Sequence, residues 1–193
     1  MDQKVNNRHT SQQILDIAQR LVQTRGFNAF SYGDIAEALH VTKASLHYHF
    51  STKADLGVSL IERYDQHMQE ALVEINRSGA GAADKIRGYV RIYSNVLRDH
   101  RMCLCGMLAA EISTLPKAMR SALDRYFEQN ELWLAAVLEE GRAEGSLRFS
   151  GSAADMAQFL IASLEGSMML ARSHGGMARF DAATRRLLAE LGA

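Results

Sequence analysis

A chain of 193 residues holds one domain or two small ones sharing a core, and excludes a large multidomain enzyme. Hydrophobic residues make up 47% and charged residues 23%, the balance of a globular protein and not of a disordered or fibrous one. The 22 lysines and arginines equal the 22 aspartates and glutamates, so no overall charge marks nucleic acid as a partner. Residues 1–55 carry only a weak basic excess, six basic side chains against five acidic ones. One proline and 14 glycines leave long stretches free to be helix, with glycines at ends and turns. Cys103 and Cys105, in a C-x-C, are too few and too close to staple a secreted fold, so a reduced, cytoplasmic chain is expected. The polar stretch up to Thr10 does not read as a signal peptide. No run approaches the roughly 18 apolar residues of a membrane span.

Ile14, Ile17, Ala18, Leu21 and Val22 recur at three- and four-residue steps. They predict a helix from Thr10 to about Arg25, opened by Thr10 with Gln13 and closed by Gly26. Ser31 with Asp34 starts a short helix holding Ile35, Ala36 and Leu39, and Thr42 caps another holding Ala44, Leu46 and Phe50. Thr52 with Asp55 opens a long helix, with Leu56, Leu60, Tyr64, Met68, Leu72 and Ile75 along one face. Residues 78–81 form the first break, preceded by three short helices and one long one. A helix through Ile86 to Leu97 follows, then a shorter apolar segment from His100 to Leu115 ended by Pro116. Met119 to Leu138 carry a long helix to Gly145, Ala153 to Ser173 another, and Leu187, Leu188 and Leu191 mark the last. Nothing alternates as a strand would, so the expected architecture is all-α, about nine helices.

Two short helices joined by a tight turn within residues 31–50 fit a helix-turn-helix, whose second helix enters the DNA major groove; the alternative is a pair of surface helices with incidental polar residues. Leu46 and Phe50, four apart, face the core and leave Lys43, Ser45, His47, Tyr48 and His49 outside. All five can hydrogen-bond or stack, and none is acidic. Free amides at the helix starts near Ser31 and Thr42 would add phosphate contacts, and the histidines would strengthen binding as pH falls from about 8 to 6. The run Asp34-Ile35-Ala36, then Val41 through Phe50, then Lys53 and Leu56, resembles the TetR family of transcriptional regulators. Ile14 to Ala18 and Gly26-Phe27 fit that family's first helix, so the specific resemblance spans about residues 10–60. It implies a homodimer whose N-terminal domains (residues 1–55) read a palindromic operator. A variable C-terminal domain (residues 56–193) would bind a small effector and dimerise. Carried over by position, Ser45, His47, Tyr48, His49 and Lys53 would face DNA, with Lys43 near a base or phosphate; His47 stands where the family usually has tyrosine.

Cys103-Leu104-Cys105-Gly106-Met107-Leu108-Ala109-Ala110-Glu111 resembles a stretch in a subset of these regulators. Arg98 and Arg101, close in sequence, would favour a Cys103 thiolate that reacts with electrophiles or oxidants; the alternative is a small apolar filler. Met68, Tyr93, Met107, Phe127 and Trp133 are candidates, with Cys103, to line a pocket for a hydrophobic effector, and equally candidates for core. Ala162, Ser163, Gly166, Ser167 and Ala171 are small and resemble the family's dimer-forming helix; the alternative is packing within one chain. A carboxylate-bridged metal enzyme needs two Glu-x-x-His motifs, and only Glu37 to His40 matches. No P-loop, H-E-x-x-H or G-x-S-x-G is present, so no enzyme, metal or cofactor is expected.

Overall fold

The computed structural model describes residues 2–193, with side chains from Thr10 onward. Among the described residues there are nine α-helices and no strand: α1 (Asp2–Arg25), α2 (Tyr32–Leu39), α3 (Lys43–His49), α4 (Lys53–Arg77), α5 (Ala82–Arg98), α6 (Leu104–Ala110), α7 (Lys117–Glu144), α8 (Ala153–Ser173) and α9 (Gly176–Leu191). The apolar segment before Pro116 splits into α6 and a 3-10 turn, Ile112–Thr114.

Local chemistry sets the starts of α2, α3 and α4. The Ser31 hydroxyl accepts from the Gly33 amide at 3.1 Å while the Asp34 carboxylate accepts from the Ser31 amide at 2.8 Å. Thr42 accepts from the Ser45 amide at 3.2 Å. Thr52 and Asp55 cap each other's amides at 3.0 and 3.1 Å. Thr10 does not open a helix as expected. It lies inside α1, since no proline or glycine between Asp2 and Thr10 breaks the chain, and α1 runs 24 residues instead of being short.

The chain forms two compact units. The first is the chain up to Gln66 together with Leu104–Asp124. Ile14, Ala18, Val22, Ile35, Leu46 and Leu56 are fully buried there. The Tyr32 hydroxyl lies 2.8 Å from the Phe50 carbonyl and 2.7 Å from that of Thr52, tying the start of α2 to the α3–α4 junction. Burial, with the Asp55 charge, pushes its phenol up to about 12. The Glu111 carboxylate, just past α6, accepts from the amides of Phe27 at 2.8 Å and Asn28 at 3.2 Å. Gly26 at φ +96° permits this approach, because a Cβ there would sit 2.6 Å from Glu111 Oε1.

The second unit comprises His67–Cys103 and Arg125–Ala193. In it α8 packs on α9, and α5 packs on both. Ile86, Tyr89, Leu134, Leu138, Leu164, Met168 and Phe180 form its interior. Among the described residues, no helix is long and apolar enough to cross a membrane.

Candidate functional site

The outer face of α3 follows from its inner one. Leu46 is sealed and Phe50 nearly so, which turns the residues between them outward by helical geometry. Tyr48 is 77% exposed, the most of any large apolar side chain described, and its ring meets His49 edge-on at 5.4 Å. Lys43 is exposed and its stem lies over Gly33, where a Cβ would come within 3.2 Å of Lys43 Cε. His47 is exposed and packs on the Tyr32 ring at 4.7 Å. Its Nδ1 sits 3.0 Å from the Ser51 carbonyl, which makes Nδ1 the protonated nitrogen and leaves Nε2 to face outward. Ser45 and His49 are half-buried on the same helix. No acid stands on α3, so a phosphate meets no fixed repulsion there.

Three predicted positions differ from the rest. The Lys53 ammonium turns inward, donating to the carbonyls of Phe27 and Phe30, each at 2.5 Å. It also lies 4.6 and 4.2 Å above those two rings. Burial pushes this amine down, against the pull of Glu111 and Asp34. The expected DNA-facing lysine is thus a clamp on the α1–α2 turn. Ser31 spends its hydroxyl and amide on Asp34, whose carboxylate closes the first turn of α2 to an anion. Those same hydrogen bonds hold the Asp34 acid below the usual carboxylate range. Thr42 likewise holds the Ser45 amide, so the amides at these two helix starts are less free than expected.

In the second unit the structure brings Tyr93, Cys103 and Trp133 together. Tyr89 stacks on Trp133 at 5.8 Å and contacts Tyr93 at 5.5 Å. The Tyr89 hydroxyl donates to Asn130 Oδ1 at 3.2 Å, and Asn130 donates to the Tyr126 carbonyl at 2.7 Å. Glu165, from α8, receives hydrogen bonds from the Cys103 thiol and the Tyr93 hydroxyl, and its desolvation holds it up at about 7. Arg98 is exposed and Arg101 pairs with Asp99, while the Glu165 carboxylate, from a separate helix, meets Cys103. Phe127 packs edge-on against Tyr126 at 5.3 Å, Met68 is buried in the same unit, and Met107 belongs to the first. Sequence reading missed Glu165. Its signal was position: Ile161, four residues before, and Met168, three after, are both core, which puts Glu165 on the buried side of α8.

Along α8 and α9 runs a groove of about 450 Å³ lined by Phe159, Ala162, Ser163, Gly166, Ser167 and Leu187, among others. Phe159 is 55% and Leu170 49% exposed, a large apolar area for a free surface. Nothing lies within 4 Å of where a Gly166 Cβ would stand. Ala171 departs from the expected set. It is 2% exposed and buried in its own chain, because helical rotation from Gly166 carries it to the inner side with Leu164 and Met168.

Two short capped helices with a tight turn and an acid-free outer face make this a helix-turn-helix DNA-binding protein. Residues 14–59 match the model for bacterial regulatory proteins of the tetR family, and residues 82–187 that for the tetracyclin repressor-like C-terminal domain. The chain belongs to the TetR family and is a DNA-binding transcriptional regulator. It is 30% identical to the HTH-type transcriptional repressor NemR of Escherichia coli K12, over 86% of this chain and 87% of that one. A TetR-family regulator from Agrobacterium tumefaciens superposes with TM-score 0.93 at 33% identity, over 97% of this chain and all of that one. The reduced form of E. coli NemR superposes with TM-score 0.84 at 28% identity, over 95% and 97% of the two chains.

Proposed function

We propose that the protein is a homodimeric repressor that reads a palindromic operator through α3 and is released by a small hydrophobic or electrophilic molecule. The observation that carries the DNA reading is the outer face of α3, where Lys43, Ser45, His47, Tyr48 and His49 stand together with no acid. Residues 1–55 read DNA, and residues 56–193 hold effector and partner. The partner surface is the exposed apolar groove along α8 and α9, through Ala162, Ser163, Gly166 and Ser167. The effector acts at the cluster around Tyr93, Cys103 and Trp133, with Cys103 as the sensing thiol. The chain itself supplies a route outward: α6 starts one residue after Cys103, and Glu111, one residue after α6, holds the amides of Phe27 and Asn28. The relatives that are repressors of transcription support this direction of control. It acts in the cytoplasm, beside its DNA.

The test is gel shift on the DNA upstream of the protein's own gene. Tyr48→Ala, at a fully outward position, should lower affinity about 10- to 100-fold, the worth of one good base or phosphate contact, and leave the circular dichroism spectrum unchanged. An effector that releases operator must, by linkage, bind more weakly when operator is present. Wild-type affinity in Tyr48→Ala would sink the assignment of α3.

A further inference from the structure

We infer that Glu165 is the proton acceptor for Cys103 and the Trp133 indole the donor to a developing oxyanion, so that this cluster takes α,β-unsaturated carbonyl compounds. This rests on the reading of Cys103 as the sensing thiol and adds the two groups that would make it react. Glu165 Oε1 and Trp133 Nε1 are both shut off from solvent, and neither has a hydrogen-bond partner. Leaving one buried acceptor and one buried donor unmet is costly, and the polar atoms of a bound compound would meet them. The same unit holds the nucleophile and its relay. Cys103 is 2% exposed and donates to the Glu165 carboxylate, Tyr93 donates to the same carboxylate, and Tyr89 links Tyr93, at 3.5 Å, to the Trp133 ring face. Nucleophile, base and oxyanion donor are the three parts that conjugate addition requires.

The groups acting on Tyr89, Tyr93 and Glu165 are one another, Cys103 from the loop before α6 and Glu131 from α7. A carboxylate beside a thiol disfavours a separate thiolate, so the proposed step couples proton transfer to attack. The thiol proton leaves only as the sulfur attacks. The sulfur lone pair forms a bond to the β-carbon, the C=C π pair moves to the carbonyl oxygen, and the enolate oxygen accepts the Trp133 N–H. The thiol proton passes to Glu165 and from there to the α-carbon. A thioether results, the carboxylate is restored, and no oxidant is consumed. Glu165 held near pH 7 suits a base of this kind.

The experiment follows alkylation of Cys103 in the full-length protein by peptide mass mapping, with methyl vinyl ketone and, for contrast, iodoacetamide, from pH 6 to 9. Glu165→Gln should slow methyl vinyl ketone at least tenfold at pH 7, with the gap closing towards pH 9 as solvent base takes over. Trp133→Phe should slow methyl vinyl ketone and leave iodoacetamide, which forms no enolate, within about twofold. Glu165→Asp, which keeps a carboxylate, should retain the pH profile at a reduced rate. Should Glu165→Gln unfold, both reagents will react faster in it, and the Asp variant then carries the test. Rates in the Asp and Gln variants equal to wild type across the pH range would overturn the inference, as would Trp133→Phe slowing both reagents alike. Glu165-dependent alkylation that leaves operator binding intact would instead remove Cys103 as the sensor while the thiol–carboxylate pair stands.

Discussion

Lys53 shows how one side chain can carry two incompatible roles until geometry chooses. As a basic residue at the start of α4, two residues after Ser51, it matches a position that faces DNA by resemblance. In the structure its ammonium is spent on the Phe27 and Phe30 carbonyls and on their rings. Lys53→Met keeps the apolar stem and removes the charge. We expect a loss of about 2 kcal/mol in unfolding free energy, the scale of charged hydrogen bonds with a cation–π contribution. The folded variant should bind operator with an unchanged salt dependence. Urea denaturation measures the first and gel shift across salt concentrations the second. A salt slope reduced by about one, with stability intact, would instead make Lys53 a phosphate contact.

At the scale of elements, α8 combines two faces with different tasks. Leu164, Met168 and Ala171 look inward, while Ala162 and Gly166 line the outer groove with Phe159. A leucine at Gly166 meets open space within one chain, so it should leave the monomer folded. Across a close helix–helix contact the same side chain would hold two backbones apart. Gly166→Leu should therefore weaken dimerisation at least tenfold in analytical ultracentrifugation, with operator affinity falling alongside, since two half-sites need two recognition helices. An unchanged dimer would show that partner contact lies elsewhere. The capped α2 and α3 were legible from Ser31, Asp34 and Thr42, because a cap is a contact within three residues. The extension of α1 before Thr10 was not, because polar residues without a breaker carry no period to read.

For the whole molecule, the desolvated carboxyl of the half-buried Glu165 couples stability to pH. Its acid is held at about 7, against 4.5 for an ordinary one, so the folded state keeps a proton that the unfolded chain releases. The sign follows: the contribution is fully present below about pH 4.5 and is lost as pH rises through about 7, a span on the order of 3 kcal/mol. Glu165→Gln has no proton to lose. Thermal or urea unfolding of both proteins should therefore show wild type losing ground to the variant between about pH 5 and 8. A difference that stays constant across that range would mean Glu165 is ionised in the fold at all these values.

The sequence by itself determined what neighbours within a few residues decide: the caps of α2, α3 and α4, and the outer face of α3, since Leu46 and Phe50 fix which side is buried. The helix-turn-helix was readable for that reason, from a stretch of about twenty residues. Only the tertiary structure decided where side chains distant along the chain meet. It turned Lys53 onto Phe27, and it buried Ala171. It also set the Glu165 carboxylate, from a separate helix, against Cys103. Glu165 lies 62 positions from that thiol. Periodicity can place a residue on the inner face of its own helix, but which groups it meets there depends on how separate helices pack.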